Sequence, residues 1–268
     1  MEFSTDFNSE GDFYWSHGLI SNPTYELLTT TCNTSQIWRE YITGNTSVAC
    51  SKVSDQLDAE IPDAINLYDV SSNVCLSSRG SLLGVPNHPL SPRFKFFPSD
   101  QSSLDALKQS KSGENIDLCV GEKIFRYLNR KDVQETLHAT LVGVSQWSTC
   151  TSVANYDLGN LEIPTIDVVG LLVSSGIRVL VYSGDQDSVV PFTGSRTLVD
   201  GLAKKLGLNA TVPYAAWFEE KQVGGWTEVY GDLLTFTTIR GGSHMAPFSS
   251  PGRSLALFAA FLSGKPLV

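Results

Sequence analysis

The run Ile177-Arg178-Val179-Leu180-Val181-Tyr182, followed at once by Ser183-Gly184-Asp185-Gln186-Asp187, constrains this chain more than any other stretch. A short β-branched run of this kind makes a buried strand of a parallel sheet, and the loops at the carboxyl edge of such a sheet carry the working side chains. The flanking segments agree. Thr165 to Ser174 is apolar at helical spacing, and Gly176 supplies its stop. Thr193 to Leu206 reads as a helix with Leu198, Leu202 and Leu206 in one stripe. Ala216 to Phe218 and Trp226 to Tyr230 read as a hairpin around Gly224-Gly225. Leu233 to Ile239 is a second strand, running into Arg240-Gly241-Gly242-Ser243-His244-Met245-Ala246-Pro247, and Pro251 to Leu262 is an apolar helix closed by Gly264. Strand, acidic loop, helix, strand, histidine loop, helix is an α/β order.

Before this the texture differs, and the chain divides near residue 155, into 1–155 and 156–268. The first part reads as short helices and loops. Phe7, Phe13, Tyr14, Trp15, Leu19 and Ile20 fall on one helix face that stops at Asn22-Pro23, where a second helix starts with proline in its first turn. Residues 80–105, punctuated by Pro86, Pro89, Pro92 and Pro98, read as an exposed loop. Helical character returns over Cys119 to Leu128, and again over Asp132 to Leu137 with Asp132 as N-cap.

With 268 residues, 41% of them hydrophobic, the chain has enough apolar material for one core. Its net charge of -9 and the absence of a basic stripe argue against nucleic acid as a partner. No apolar run approaches the roughly 20 residues of a membrane-spanning helix, so a soluble chain is expected. Met1-Glu2-Phe3-Ser4-Thr5-Asp6 lacks the pattern of a secretory signal. Yet Asn33-Thr34-Ser35, Asn45-Thr46-Ser47 and Asn209-Ala210-Thr211 are N-glycosylation sequons, the first two within the Cys32 to Cys50 segment. Cys32, Cys50, Cys75, Cys119 and Cys150 show no zinc-ligand spacing, so no metal is expected; disulfides are the favoured reading over buried free thiols. Their odd number leaves one sulfur without an internal partner.

An Asp on one post-strand loop and a His on a later one form the ordering half of a nucleophilic triad: the carboxylate fixes the imidazole tautomer and stabilises the cation formed on proton uptake. Asp187 and His244 fit those roles. Competing readings make Asp185 or Asp187 a cap for the following helix, and His244 a turn residue. Of the other histidines, His17 sits in an aromatic helix face, His88 between prolines, and His138 in a helical stretch. A nucleophile elbow of the G-x-S-x-G kind does not occur. Gly143-Val144-Ser145-Gln146-Trp147 lacks the second glycine, and Gly241-Gly242-Ser243 abuts the histidine.

Three segments in order, Phe13-Tyr14-Trp15-Ser16-His17-Gly18-Leu19-Ile20-Ser21, Val181-Tyr182-Ser183-Gly184-Asp185-Gln186-Asp187 with Pro191, and Gly242-Ser243-His244-Met245-Ala246-Pro247, resemble the serine carboxypeptidases, most of all their plant serine carboxypeptidase-like group. The resemblance implies the C-terminal part of an α/β-hydrolase fold with a mainly helical insertion. It implies an enzyme without cofactor that removes C-terminal residues from peptides or proteins at acidic pH. Asp187 then corresponds to the triad acid, His244 to the general base and Met245 to a residue lining the substrate pocket. The family's nucleophile lies in a G-E-S-Y-A-G motif upstream of the segment that here begins at Phe13, so the serine, the oxyanion donors and the signal peptide are expected to precede Met1. The family's disulfide pattern implies Cys32 with Cys50 and Cys75 with Cys119, leaving Cys150 to face an absent partner.

Three expectations follow from different classes: the C-terminal part of a secreted or vacuolar serine carboxypeptidase, inactive without its nucleophile; an acyltransferase of the same family, in which a metabolite hydroxyl replaces water; or a truncated, non-catalytic product with an exposed sheet edge. A homodimer of the full-length enzyme is a further expectation.

Overall fold

In the computed structural model, which describes residues 2–62, 64–75, 117, 119–139, 146–148, 157–265 and 267, local caps set the first four helices. α1 (Phe3–Ser16) starts where the Glu2 carboxylate accepts from the Ser4 and Thr5 N–H groups. It ends where the His17 N–H donates to Phe13 O and the Leu19 N–H to Tyr14 O. The chain therefore turns at Gly18, and Leu19 and Ile20 lie beyond the helix rather than on the single face read from the sequence. α2 (Asn22–Thr30), α3 (Thr34–Thr43) and α4 (Val48–Glu60) are capped by the side chains of Ser21, Asn33 and Ser47, and Pro23 stands in the first turn of α2 as expected. Phe13, Tyr14, Ile20, Leu28, Ile37, Val53 and Leu57 pack into one core around the Cys32–Cys50 disulfide. Each such buried side chain contributes about 1.5–3 kcal/mol. Glu60 ties the end of α4 to the start of α2, accepting from the Ser21 N–H, the hydroxyls of Ser21 and Thr24, and Gln56.

α5 (Val120–Leu128) and α6 (Lys131–Thr136) follow, with Cys75 bonded to Cys119 just ahead of α5. Asp132 is not the cap of α6. Arg130 holds that position without a side-chain bond, and the Asp132 carboxylate pairs with the Arg130 guanidinium instead. His138 ends this stretch in a left-handed conformation, φ +54°. The loop read over residues 80–105, His88 and Cys150 lie outside the described residues.

After a 3-10 turn (Leu158–Glu162) come α7 (Ile166–Ser174), β1 (Val179–Gly184), α8 (Phe192–Lys205), β2 (Ala210–Glu219), β3 (Gln222–Tyr230), β4 (Leu234–Ile239), α9 (Ala246–Ser249) and α10 (Pro251–Ser263), which stops at Gly264. The strands form one sheet in the order β1-β4-β3-β2, with β1 parallel to β4 and the other pairs antiparallel. Period-two alternation sends Val179, Val181, Leu234 and Phe236 to one face, against Val173, Val199, Leu202 and Ala203. Leu180, Trp217 and Ile239 go to the other, against Ala246 and Leu257. The stripe of α8 is thus Val199, Leu202 and Ala203, with Leu206 packed against it and Leu198 outside it.

Two expectations about strands are corrected. β1 is only half-buried, with Tyr182 exposed, because among the described strands it pairs with β4 alone and lies at the sheet's edge. The hairpin turns at Glu220 and Lys221, with Glu220 at φ +54°, and Gly224-Gly225 lies inside β3. A Cβ on Gly224 would sit 2.3 Å from the Trp217 ring, and one on Gly225 1.9 Å from Thr238 O. The glycines admit the buried indole, whose Nε1–H donates to Thr238 O at 3.0 Å.

Two compact units divide the chain: residues 1–61, 67–71 and 158–268 form one, and 62–66 with 72–157 the other. The last junction falls between residues 157 and 158, and residues 1–61 group with the C-terminal elements.

Candidate active site

Parallel pairing of β1 with β4 brings their carboxyl ends side by side, so Ser183–Asp187 and Arg240–His244 leave the sheet together. The approach is close enough to require glycine. A Cβ on Gly184 would lie 2.3 Å from the carbonyl oxygens of both Gly242 and Ser243. Gly242 answers it across the gap, where a Cβ would meet the Gly184 Cα at 3.0 Å.

Asp187 and His244 meet in this place. His244 Nδ1 lies 2.9 Å from Asp187 Oδ2. The other carboxylate oxygen accepts from the N–H groups of Val189 and Val190 at 2.9 and 3.3 Å, which fixes the plane of the acid. Asp187 thus closes the short turn that follows it, but it does not cap α8, whose N-cap position is held by Pro191 without a side-chain hydrogen bond. Asp187 is buried, at 4% exposure, and the His244 side chain retains 38%. A ring nitrogen at this distance from a carboxylate carries the proton, so Nδ1 is the donor and Nε2 the atom free to take a proton from a substrate or nucleophile. The hydrogen bond to Asp187 lifts the His244 pKa above its ordinary value of 6.5; burial works against the lift, and the carboxylate's charge adds to it.

Residues that sequence reading missed hold this pair. The segment Leu67–Ser71 crosses behind both loops: Tyr68 O accepts from the His244 N–H at 2.8 Å, and its ring stands edge-on to the imidazole with centroids 5.1 Å apart. Leu67 O accepts from both the N–H and the hydroxyl of Ser188, and the Val70 N–H donates to Gln186 O. Nothing in the residue types of Leu67-Tyr68-Asp69-Val70 says which loops this segment meets. From α9, the Ser249 hydroxyl accepts the Ser243 N–H, and Ser243 Oγ accepts the Met245 N–H. Met245 follows the histidine and is 60% exposed.

The other expected positions divide as follows. Asn33, Asn45 and Asn209 are exposed. His17 is a packing residue, stacked on Phe13 with centroids 3.7 Å apart. The groupings of sulfur with carboxylate among the described residues are built on the two disulfides, whose sulfurs are already bonded. Among the described residues no helix is long and apolar enough to cross a membrane.

Residues 1–264 match the family described as serine carboxypeptidase. The chain is 50% identical over 267 residues to serine carboxypeptidase-like 45 of Arabidopsis thaliana, and 49% identical to serine carboxypeptidase-like 46 of the same plant; each match takes in 100% of this chain and 53% of the relative. It is 35% identical to serine carboxypeptidase-like 42, covering 52% of it. The chain thus spans about half the length of these relatives. Among solved structures it resembles Kex1(delta)p, a prohormone-processing carboxypeptidase from Saccharomyces cerevisiae, with a TM-score of 0.57 and 18% identity over 97% of this chain and 51% of the other. That likeness carries the fold, the α/β-hydrolase class expected from the sequence. With residues 1–264 of its 268 matched, this chain belongs to the serine carboxypeptidase family.

Proposed function

We propose that this chain supplies the general base and the orienting acid of a serine-type carboxypeptidase that removes C-terminal residues from peptides and proteins. The observation that carries the reading is the 2.9 Å contact of His244 Nδ1 with a buried, doubly hydrogen-bonded Asp187 carboxylate. The nucleophile is a serine outside residues 1–268, brought to the Nε2 side of His244. As its oxygen forms a bond to the scissile carbonyl carbon, its proton passes to Nε2, and the imidazolium is stabilised by Asp187. Collapse breaks the C–N bond, His244 returns the proton to the leaving amine, and water repeats the sequence on the acyl-enzyme. Met245, exposed directly after the base, lines the pocket that receives the substrate. The disulfides and the three exposed sequon asparagines fit a glycoprotein of a secretory or vacuolar compartment.

The test uses an N-blocked dipeptide and two proteins, residues 1–268 alone and a longer polypeptide joining them to the nucleophile-bearing part. The account expects hydrolysis only by the longer protein, and loss of nearly all of it in His244→Ala. Retained activity in that variant contradicts the assignment. Transfer of the acyl group to an added alcohol in preference to water would make the enzyme an acyltransferase with the same acid and base.

A further inference from the structure

We infer that Asp185, the first carboxylate of the acidic loop, is a positioning residue that holds the histidine loop in the register at which His244 meets Asp187. The inference rests on the reading of His244 as general base.

The two loops are laced by three hydrogen bonds around Asp185. Its N–H donates to Ile239 O at 3.2 Å, the next N–H, that of Gln186, donates to Gly242 O at 2.9 Å, and its own Oδ1 accepts the Gly241 N–H at 2.7 Å. The first two are backbone bonds that any residue at position 185 would make. The third depends on the side chain, and it is the shortest of the three. Gly241 stands at φ +68°, which turns the chain sharply after β4 and points its N–H back at β1. Without an acceptor there, that N–H loses its partner at the point where the loop changes direction. The Gln186 side chain donates to the same Oδ1 at 3.0 Å, so the carboxylate is held from its own loop as well. On the far side of the turn, α10 completes the grip: Arg253 Nη1 donates to Arg240 O at 2.6 Å and the Ser250 hydroxyl to Gly241 O at 3.1 Å. Asp185 is thus the one side chain of the acidic loop hydrogen-bonded to the turn that launches Ser243 and His244. Its hydrogen bonds go to Gln186, Gly241 and Ile239 and not to the imidazole, so it acts through the position of His244. A misplacement of about 1 Å at a reacting group is enough to lower kcat by about 100-fold.

The chemistry needs an acceptor oxygen at position 185, not a charge. Asp185→Asn keeps Oδ1 and should preserve the bond; Asp185→Ala removes it. Following the ring protons of His244 by NMR through a pH titration of the 268-residue chain reads the contact with Asp187 and needs no peptidase activity. The account expects the His244 titration to move toward that of a free imidazole in Asp185→Ala and to stay near the parent's in Asp185→Asn. In the longer active protein, Asp185→Ala should lower kcat by about 10–100-fold with little change in KM. An unchanged titration in Asp185→Ala overturns the inference, as does an Asn variant as impaired as the Ala one. Should Asp185→Ala fail to fold, hydrogen exchange of the Gly241 amide in the parent chain decides: protection is required, and free exchange overturns the proposal. If the longer protein proves not to be a peptidase while the titrations behave as expected, the carboxypeptidase reading fails and the positioning role stands.

Discussion

The helices of residues 3–60 and the loops at the end of β1 and β4 are held by opposite means. In the helices the capping residue is a near neighbour: Ser21 caps at Thr24, Asn33 at Gln36 and Ser47 at Cys50. The disulfide that crosses the core closes a separation of only 18 residues. In the loops the ties span 56 residues from Asp185 to Gly241, 57 from Asp187 to His244 and 121 from Ser188 to Leu67. The helices are started by local caps and joined by ties such as Glu60 to Ser21, 39 residues apart, whereas the loops are held by segments 56 residues apart or more. Chemistry is therefore expected to fail first at the loops, and stability at the helices.

The strongest way to break this contrast is Asp187→Asn in the longer active protein. The amide leaves the packing intact but removes the partner that sets the His244 tautomer, so kcat should fall by about 10³–10⁴-fold while the unfolding midpoint moves little. A large loss of stability instead would make Asp187 a structural residue first. Cys32→Ala with Cys50→Ala probes the other region. Loop closure over that separation is worth about 3 kcal/mol, and denaturant unfolding should show a loss of that order with the His244 titration unchanged. Gly184→Ala tests whether the loops truly touch: its Cβ would stand 2.3 Å from two carbonyl oxygens, so a cost of about 2 kcal/mol and a disturbed His244 signal are expected together.

The smallest effect sharpens the contrast by pH. Glu60 is pushed up by burial, but its hydrogen bonds from Ser21, Thr24 and Gln56 outweigh this and bring its pKa from 4.5 down to about 2. A depressed folded pKa means stability that is present above about pH 4.5 and lost as the pH falls toward 2. His244 has the opposite sign. Its raised pKa means that the ion pair stabilises fully below the ordinary value of 6.5, and that the contribution is lost as pH rises through the folded value. Glu60→Gln should flatten the acid limb of unfolding by about 1 kcal/mol or less and leave the neutral limb alone, as measured by thermal melts between pH 2 and 8.

This division by sequence distance also explains what was legible. The first-turn proline of α2 and the stop at Gly264 are local signals, and each stands where its residue type predicts. Asp187 and His244 were legible as candidates because each follows a strand, and the parallel pairing of those strands does the rest. Gly224-Gly225 misled, because a glycine pair reads as a turn unless one knows that Trp217 must lie over it. Tyr68 and the true task of Asp185 were not legible at all. A backbone carbonyl accepting from a distant N–H leaves no mark on residue type, and a carboxylate bound to an N–H on another loop looks in sequence like any loop aspartate.

The most direct test of the central claim, that His244 and Asp187 act as one unit, is a double-mutant cycle on kcat in the longer protein. Groups that work through one another lose their effect once, so Asp187→Asn added to His244→Ala should cost almost nothing further. Losses that multiply, each variant lowering the rate by its full separate factor, would contradict the account.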